Sequence, residues 1–309
     1  MKAMLLAAGA GTRLRPLTDR TPKPLAPIAN VPLLMRTLRW LAGQGVTEVV
    51  VNAHHLADQI IAAVGDGRAA GVNVHFSVEE SLLGTSGALQ RAAGHFREAP
   101  FYVVYGDNLI DADLQALRRA HEASGAQASI ALFAPDDPSA CGMVEMDATG
   151  RVARFVEKPK PGETDATLAN AGVYILEPEL LETLPVGVSD FGKDLFPRWL
   201  AEGRPIHAAP LAGYLQDTGT PERYRKANWD ALAWEGREQL VADGALVRGD
   251  LLGRNIIGAN VEIGEGARLQ ECIVWPGARI GAGATLHGVI VGEGAVVAAG
   301  TELDGGILA

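Results

Sequence analysis

Leu5-Leu6-Ala7-Ala8-Gly9-Ala10-Gly11-Thr12-Arg13-Leu14-Arg15-Pro16-Leu17-Thr18-Asp19-Arg20-Thr21-Pro22-Lys23-Pro24-Leu25 is the stretch on which the reading of this chain turns. The apolar run Ala3 to Ala8 is short enough for a buried strand, and Gly9 and Gly11 let the backbone turn sharply behind it. Backbone N–H groups in such a turn point into one concavity, where an anion satisfies donors that otherwise stay unpaired. Arg13 adds a planar fork suited to two oxygens. Lys23, its backbone stiffened by Pro22 and Pro24, adds a compact point charge. Together they suit a triphosphate.

Two commoner glycine loops are excluded. A Walker loop ends in Gly-Lys-Ser or Gly-Lys-Thr, whereas Gly11 is followed by Thr12 and Arg13. A dinucleotide fingerprint needs a third glycine at Leu14 and an acidic residue closing the next strand, where Val49 to Val51 ends in Asn52. Gly-x-Gly-Thr-Arg-Leu-x-Pro-Leu-Thr followed by Pro-Lys-Pro-Leu resembles the signature loop of the sugar-phosphate nucleotidyltransferases, the nucleotide-sugar pyrophosphorylases. The resemblance implies nucleotide contacts along Leu6, Ala8, Gly9, Gly11, Thr12, Arg13 and Lys23.

Composition sets the bounds. A chain of 309 residues, 48% hydrophobic and 21% charged, buries a full core and leaves room for an appendage. Its net charge of −10 argues against a nucleic-acid surface, so an anionic ligand must meet a local cluster of cations. Cys141 and Cys272 suggest neither a disulfide framework nor a zinc site, and fit a reducing cytoplasm. No apolar stretch approaches the ~20 residues of a membrane span.

Beyond the loop, helical periodicity at Leu33 to Leu41, Leu56 to Val64 and Gly87 to Phe96 alternates with apolar strands at Val46 to Val51, Val72 to Val78 and Phe101 to Tyr105. The alternation predicts an α/β fold, a Rossmann-like mixed and mostly parallel sheet with helices on both faces, whose ligands sit beyond the carboxyl ends of the strands. Gly84-Thr85-Ser86-Gly87 opens a helix but lacks the last glycine of a nucleophile elbow. By resemblance this segment packs on the nucleotide base, placing Glu79, Gly84 and Thr85 near it. A carboxylate at Glu79 could accept from both N1–H and the 2-amino group of guanine, which leans toward GTP.

Asp107 follows the strand Phe101 to Tyr105, and Asp217 follows a second apolar segment in Asp217-Thr218-Gly219-Thr220-Pro221. Two such carboxylates could hold one Mg²⁺, which takes hard oxygen ligands and keeps water and substrate phosphates in its shell. The resemblance makes both positions metal-holding. It also implies a sugar-phosphate region at Asn108, Gly142, Glu157, Lys158 and Asn170, in which the acid meets sugar hydroxyls and the lysine the phosphate. Cys141 to Met146 and Val152 to Val156 read as a hairpin. His54, His55 and His207 carry no pattern.

From about Ala245, Ile257-Gly, Ile263-Gly, Leu269, Trp275-Pro, Ile280-Gly, Leu286, Val291-Gly and Val297 recur at six residues, twice shortened to five, the period of a short left-handed parallel β-helix. The expected organisation is a catalytic domain over 1–228, a linker helix over 229–245 and a β-helix over 246–309. The two-part plan looks most like the family members that join GTP to mannose-1-phosphate, as a homo-oligomer. The alternatives are UTP- or dTTP-dependent glucose-1-phosphate or N-acetylhexosamine-1-phosphate transfer, and a non-catalytic regulatory subunit that binds nucleotide sugars. Because a sugar phosphate is already ionised at pH 7, the reaction needs no general base. The expected catalytic groups are Arg13, Lys23, Asp107 and Lys158.

Overall fold

The apolar run behind Met1 forms strand β1 (Lys2–Leu6), all but its first residue buried. A computed structural model describes residues 1–309 and divides into two units, Met1–Gly9 with Leu34–Leu215 and Ala10–Leu33 with Gln216–Ala309. In the first unit, helix α1 (Leu33–Gly43) carries the chain to β2 (Glu48–Ala53), and α2 (Ala57–Val64) leads to β3 (Asn73–Val78). Both connections join neighbouring parallel strands, which need a crossover rather than a hairpin. Helix α3 (Gly84–Ala92) then leads to β4 (Phe101–Tyr105), which pairs with β1 on the side opposite β2. Strand order therefore reverses at β1. Such a reversal opens a crevice beyond the carboxyl ends of the flanking strands, here at Leu6–Gly9 and Gly106–Asp107.

Helix α4 (Leu114–Ser124) is capped by Asp113, whose carboxylate accepts from the N–H groups of Gln115 and Ala116. The sheet continues through β5 (Ala128–Phe133), β6 (Gly142–Met146), β7 (Val152–Glu157), β8 (Ala169–Leu176) and β9 (Ile206–Pro210) to nine strands. β6 and β7 form the expected antiparallel hairpin, and β8 runs antiparallel to β4, so the sheet is mixed. Tyr174, Phe191, Phe196 and Trp199 pack ring against ring in its core. The segment after Asp190 is a π-helical turn (Phe191–Leu195) followed by α5 (Phe196–Ala201). Pro197 has no N–H to return to Lys193, so the hydrogen-bond register changes there.

In the second unit, residues 10–33 form three 3₁₀ turns, Thr12–Leu14, Leu17–Asp19 and Lys23–Leu25, and a hairpin of Pro27–Ile28 with Val31–Pro32. Helix α6 (Pro221–Trp234) begins at Thr220, whose hydroxyl accepts from the Arg223 N–H at 3.3 Å. The remainder is a parallel β-helix of three sheets with five, four and four strands. Ile256, Ile273, Ile290 and Ile307 stack in register along one sheet. Ile257, Ile263, Leu269, Val274, Ile280 and Leu286 fill the interior.

The expected boundaries shift in two places. The helix stops at Trp234, and Gln239–Val241 already pairs with Asn255–Ile257 as the first coil, so no helix fills 229–245. That coil has a neighbour on one side only, leaving Val241, Leu246 and Leu252 exposed and its repeat pattern weak. Residues 10–33 also group with the C-terminal unit rather than with the catalytic sheet. No helix is long and apolar enough to cross a membrane.

Candidate active site

In the second unit the glycine loop and the Asp217 turn, far apart in sequence, come together. Gly11 is left-handed at φ 62°, and a side chain there would put its Cβ 2.8 Å from Lys23 Cβ. The Thr18 hydroxyl donates to the Gly11 carbonyl at 2.9 Å, closing the loop. Lys23 is 5% exposed, and its Nζ lies 4.0 Å from Asp217 Oδ1. The Gly219 N–H donates to the same oxygen at 2.6 Å, and Arg223 Nη1 donates to Oδ2 at 2.6 Å. The guanidinium of Arg13 lies over Gly219, where a side chain would collide with it.

Three cations thus surround one carboxylate. In a chain of net charge −10, this is the local excess that an anion needs. The carboxylate oxygens are also hard donors of the kind Mg²⁺ takes. Sequence reasoning anticipated Arg13, Lys23 and Asp217 and missed Arg223. Its signal was its place in the first turn of the helix that follows the aspartate.

In the first unit, the Ala7 N–H donates to Asn52 Oδ1 at 2.7 Å, and Asn52 Nδ2 donates to Glu79 Oε1 at 2.7 Å. The other Glu79 oxygen accepts from the Leu83 N–H at 3.0 Å, and the residue is 3% exposed. Glu79 therefore braces the turn before α3 against the exit of β1, where Leu6 and Ala8 are also buried. Glu79 was expected beside the base; each of its oxygens here accepts one bond from within the fold. Asn52 was missed.

Gly84 is left-handed at φ 73°, and a side chain there would strike the Ser189 carbonyl. Thr85 donates through its N–H and its hydroxyl to Asp190 Oδ1, at 3.2 and 3.1 Å, and its hydroxyl accepts from the Phe191 N–H at 2.9 Å. The small residues opening α3 thus dock the 189–191 segment. Asp190, missed in the sequence, is the acceptor that fixes them.

Asp107 sits in the turn after β4, where the Gly106 N–H donates to the Leu6 carbonyl at 2.8 Å, so it is held beside the end of β1. Asn108 is buried, its amide 3.5 Å from the Ala171 carbonyl. Glu157 pairs across the hairpin with Gly142, and a Cβ at Gly142 or Gly192 would lie 2.7 or 2.8 Å from Glu157 Oε2. Two bare backbones therefore make the slot for this carboxylate. Lys158 follows with φ 49° and an exposed side chain, its N–H donating to the Cys141 carbonyl at 2.9 Å. Asn170 donates to the Tyr174 hydroxyl and accepts from the Gly172 N–H, both at 2.8 Å. Burial pushes the neighbouring Tyr105 hydroxyl up to about 12, so it stays a neutral donor at physiological pH.

Known proteins share this arrangement of sequence. A family model described as Nucleotidyl transferase matches residues 2–233, and one described as GlmU-like, C-terminal hexapeptide, matches 231–305. Mannose-1-phosphate guanylyltransferase of Mycobacterium tuberculosis is 35% identical over 286 residues, covering 88% of this chain and 79% of that one. UTP–glucose-1-phosphate uridylyltransferase of Synechocystis sp. is 36% identical over 241 residues, covering 74% of this chain and 62% of that one. The crystal structure of HddC from Yersinia pseudotuberculosis superposes with a TM-score of 0.65 at 28% identity, covering 74% of this chain and 99% of that one. A second HddC structure, complexed with GMP-PN, gives 0.64. With the family model spanning the β1 strand, the glycine loop and both aspartate turns, this chain belongs to the nucleotidyl transferase family and is an enzyme of the transferase class.

Proposed function

We propose that this enzyme joins a nucleoside triphosphate to a sugar-1-phosphate, releasing pyrophosphate, with GTP and mannose-1-phosphate as its pair. The observation that carries the reading is the cluster of Arg13, Lys23 and Arg223 about Asp217 at a left-handed glycine loop. Such a cluster neutralises a triphosphate and, above all, the charge that builds on a departing pyrophosphate. The attacking group is a sugar-phosphate oxygen, already ionised at pH 7, so no general base is required. Catalysis then consists of alignment and charge stabilisation: the oxygen attacks the α-phosphorus in line, and the bond to the β-phosphate oxygen breaks.

In this reading Arg13 and Lys23 hold the triphosphate and the leaving group, while Lys158 holds the sugar phosphate and Glu157 and Asn170 the sugar hydroxyls. Gly84 and Thr85 border the base, and Asp107 and Asp217 are the carboxylates for Mg²⁺, which supplies further charge neutralisation when bound. The guanine and mannose assignments are supported by the mycobacterial relative and by another relative at 36% identity, named probable mannose-1-phosphate guanylyltransferase 2 in Arabidopsis thaliana. The Synechocystis uridylyltransferase, of comparable identity over a shorter stretch, favours UTP with glucose-1-phosphate as the second reading. Cys141 and Cys272 as free thiols support a cytoplasmic setting, and assembly as a homo-oligomer completes the proposal.

Pyrophosphate release with Mg²⁺ across GTP, UTP, dTTP, ATP and CTP, against mannose-, glucose-, galactose- and N-acetylhexosamine-1-phosphates, tests this directly. GTP with mannose-1-phosphate should give the fastest turnover. A UTP and glucose-1-phosphate maximum would move the assignment to the second reading, and silence across the grid would remove the activity.

A further inference from the structure

The glycine loop and the β-helix belong to one unit, and the contacts between them converge on the arm that carries Lys23. Two residues before Lys23, the Thr21 hydroxyl donates to Glu293 Oε2 of the β-helix at 3.2 Å. At the far end of the arm, Ala29 and Asn30 form a two-residue hairpin turn, both left-handed at φ 44° and 60°. Asn30 Nδ2 donates to the carbonyl of Ile257, in the second coil, at 2.8 Å. Between these points Tyr224 of α6, fully buried, donates to the Pro27 carbonyl and accepts from the indole N–H of Trp275 at 3.0 Å.

Lys23 is thus flanked by anchors that lead, directly or through one side chain, to the β-helix. We propose that the β-helix is a working part of the triphosphate site: through Glu293, Ile257 and Trp275 it sets the position of the Lys23 arm and so the affinity for the nucleotide. Thr21 and Asn30 are the positioning residues on the loop side. This rests on the reading that Lys23 meets the triphosphate. A cation fixed in advance avoids the ordering cost that a mobile loop incurs on binding, so loosening its anchors weakens the nucleotide and leaves the sugar phosphate untouched.

Asn30→Gly is the cleanest test, because glycine takes φ 60° without steric cost and only the amide-to-carbonyl bond is removed. Glu293→Ala removes the second anchor, and Glu293→Gln retains an acceptor oxygen. Loss of one hydrogen bond of ordinary strength corresponds to about a three- to tenfold effect. The expected result is a three- to tenfold rise in the KM for GTP in Asn30→Gly and in Glu293→Ala, larger in the double variant. The KM for mannose-1-phosphate should hold steady and the Tm should fall by no more than the few degrees that one lost hydrogen bond accounts for, with Glu293→Gln close to the parent. Unchanged KM for GTP, or a fall in Tm with both KM values rising together, overturns the proposal. Calorimetric titration of GTP alone gives the same ratio without turnover, so an inactive parent that binds GTP counts against the proposed reaction and still decides the anchor. A parent that binds no GTP overturns both.

Discussion

Asp217 accepts from a backbone N–H on one oxygen and from Arg223 on the other, with the Lys23 ammonium nearby, so its geometry is fixed before any ligand arrives. Asp217→Asn keeps the size, removes the charge and turns one of the two acceptors into a donor. In the proposed reaction it should lower kcat at least a hundredfold, since charge stabilisation of this kind supplies several kcal/mol; steady-state kinetics with a melting curve as control checks it. Lys158→Ala should raise the KM for the sugar phosphate about ten- to a hundredfold while leaving that for the triphosphate in place, the scale of one charge-assisted hydrogen bond. Arg13, Lys23 and Asp217 were legible because rare residue types stood at fixed spacing beside glycine and proline. The Asn52 amide that holds Glu79 was hidden, because it comes into view only when neighbouring parallel strands are laid side by side. His207 belongs at this scale too: burial holds its imidazole below the usual 6.5, so the folded state disfavours the charged form. The stability is complete above pH 6.5 and is lost as pH falls below it, because the unfolded chain takes up the proton first. Wild type should therefore lose more Tm than His207→Gln between pH 7.5 and 5.5.

At the scale of elements, strands and helices followed hydrophobic period closely. Phe101–Tyr105 begins and ends where the residue pattern puts it. The π-helical turn at Phe191–Leu195 was hidden, since apolar spacing over so few residues does not separate one helical register from another. The first β-helix coil was also hidden, because a terminal coil buries one side and its sequence can drift. The start of α3 yields a prediction. Gly84→Ala forces a side chain into left-handed backbone and against the Ser189 carbonyl, which should cost about 1–2 kcal/mol for the conformation alone. Chemical denaturation should show that loss as a lower midpoint, with Ala at exposed Gly94, where nothing lies near, as the control.

At the scale of the molecule, neither unit is a continuous piece of chain. The polypeptide leaves the sheet unit at Gly9, contributes 24 residues to the C-terminal unit (10 through 33), and returns at Leu34. Repeat periodicity announced the β-helix, but nothing local in residues 10–33 announces that their partners are Asn228, Tyr224, Ile257 and Glu293, since those contacts are made across the whole length of sequence. The net charge of −10 likewise conceals the cationic cluster, which exists only once residues 13, 23 and 223 are brought together. In the proposed reaction the enzyme transfers a nucleotidyl group, breaking the bond between the α- and β-phosphates. ³¹P NMR of GTP with mannose-1-phosphate, Mg²⁺ and the enzyme follows that bond: the three triphosphate signals and the sugar-phosphate signal should decay together into pyrophosphate and a sugar-linked diphosphate. Release of inorganic phosphate with GDP, or an unchanged spectrum with every triphosphate and sugar phosphate tried, would contradict it.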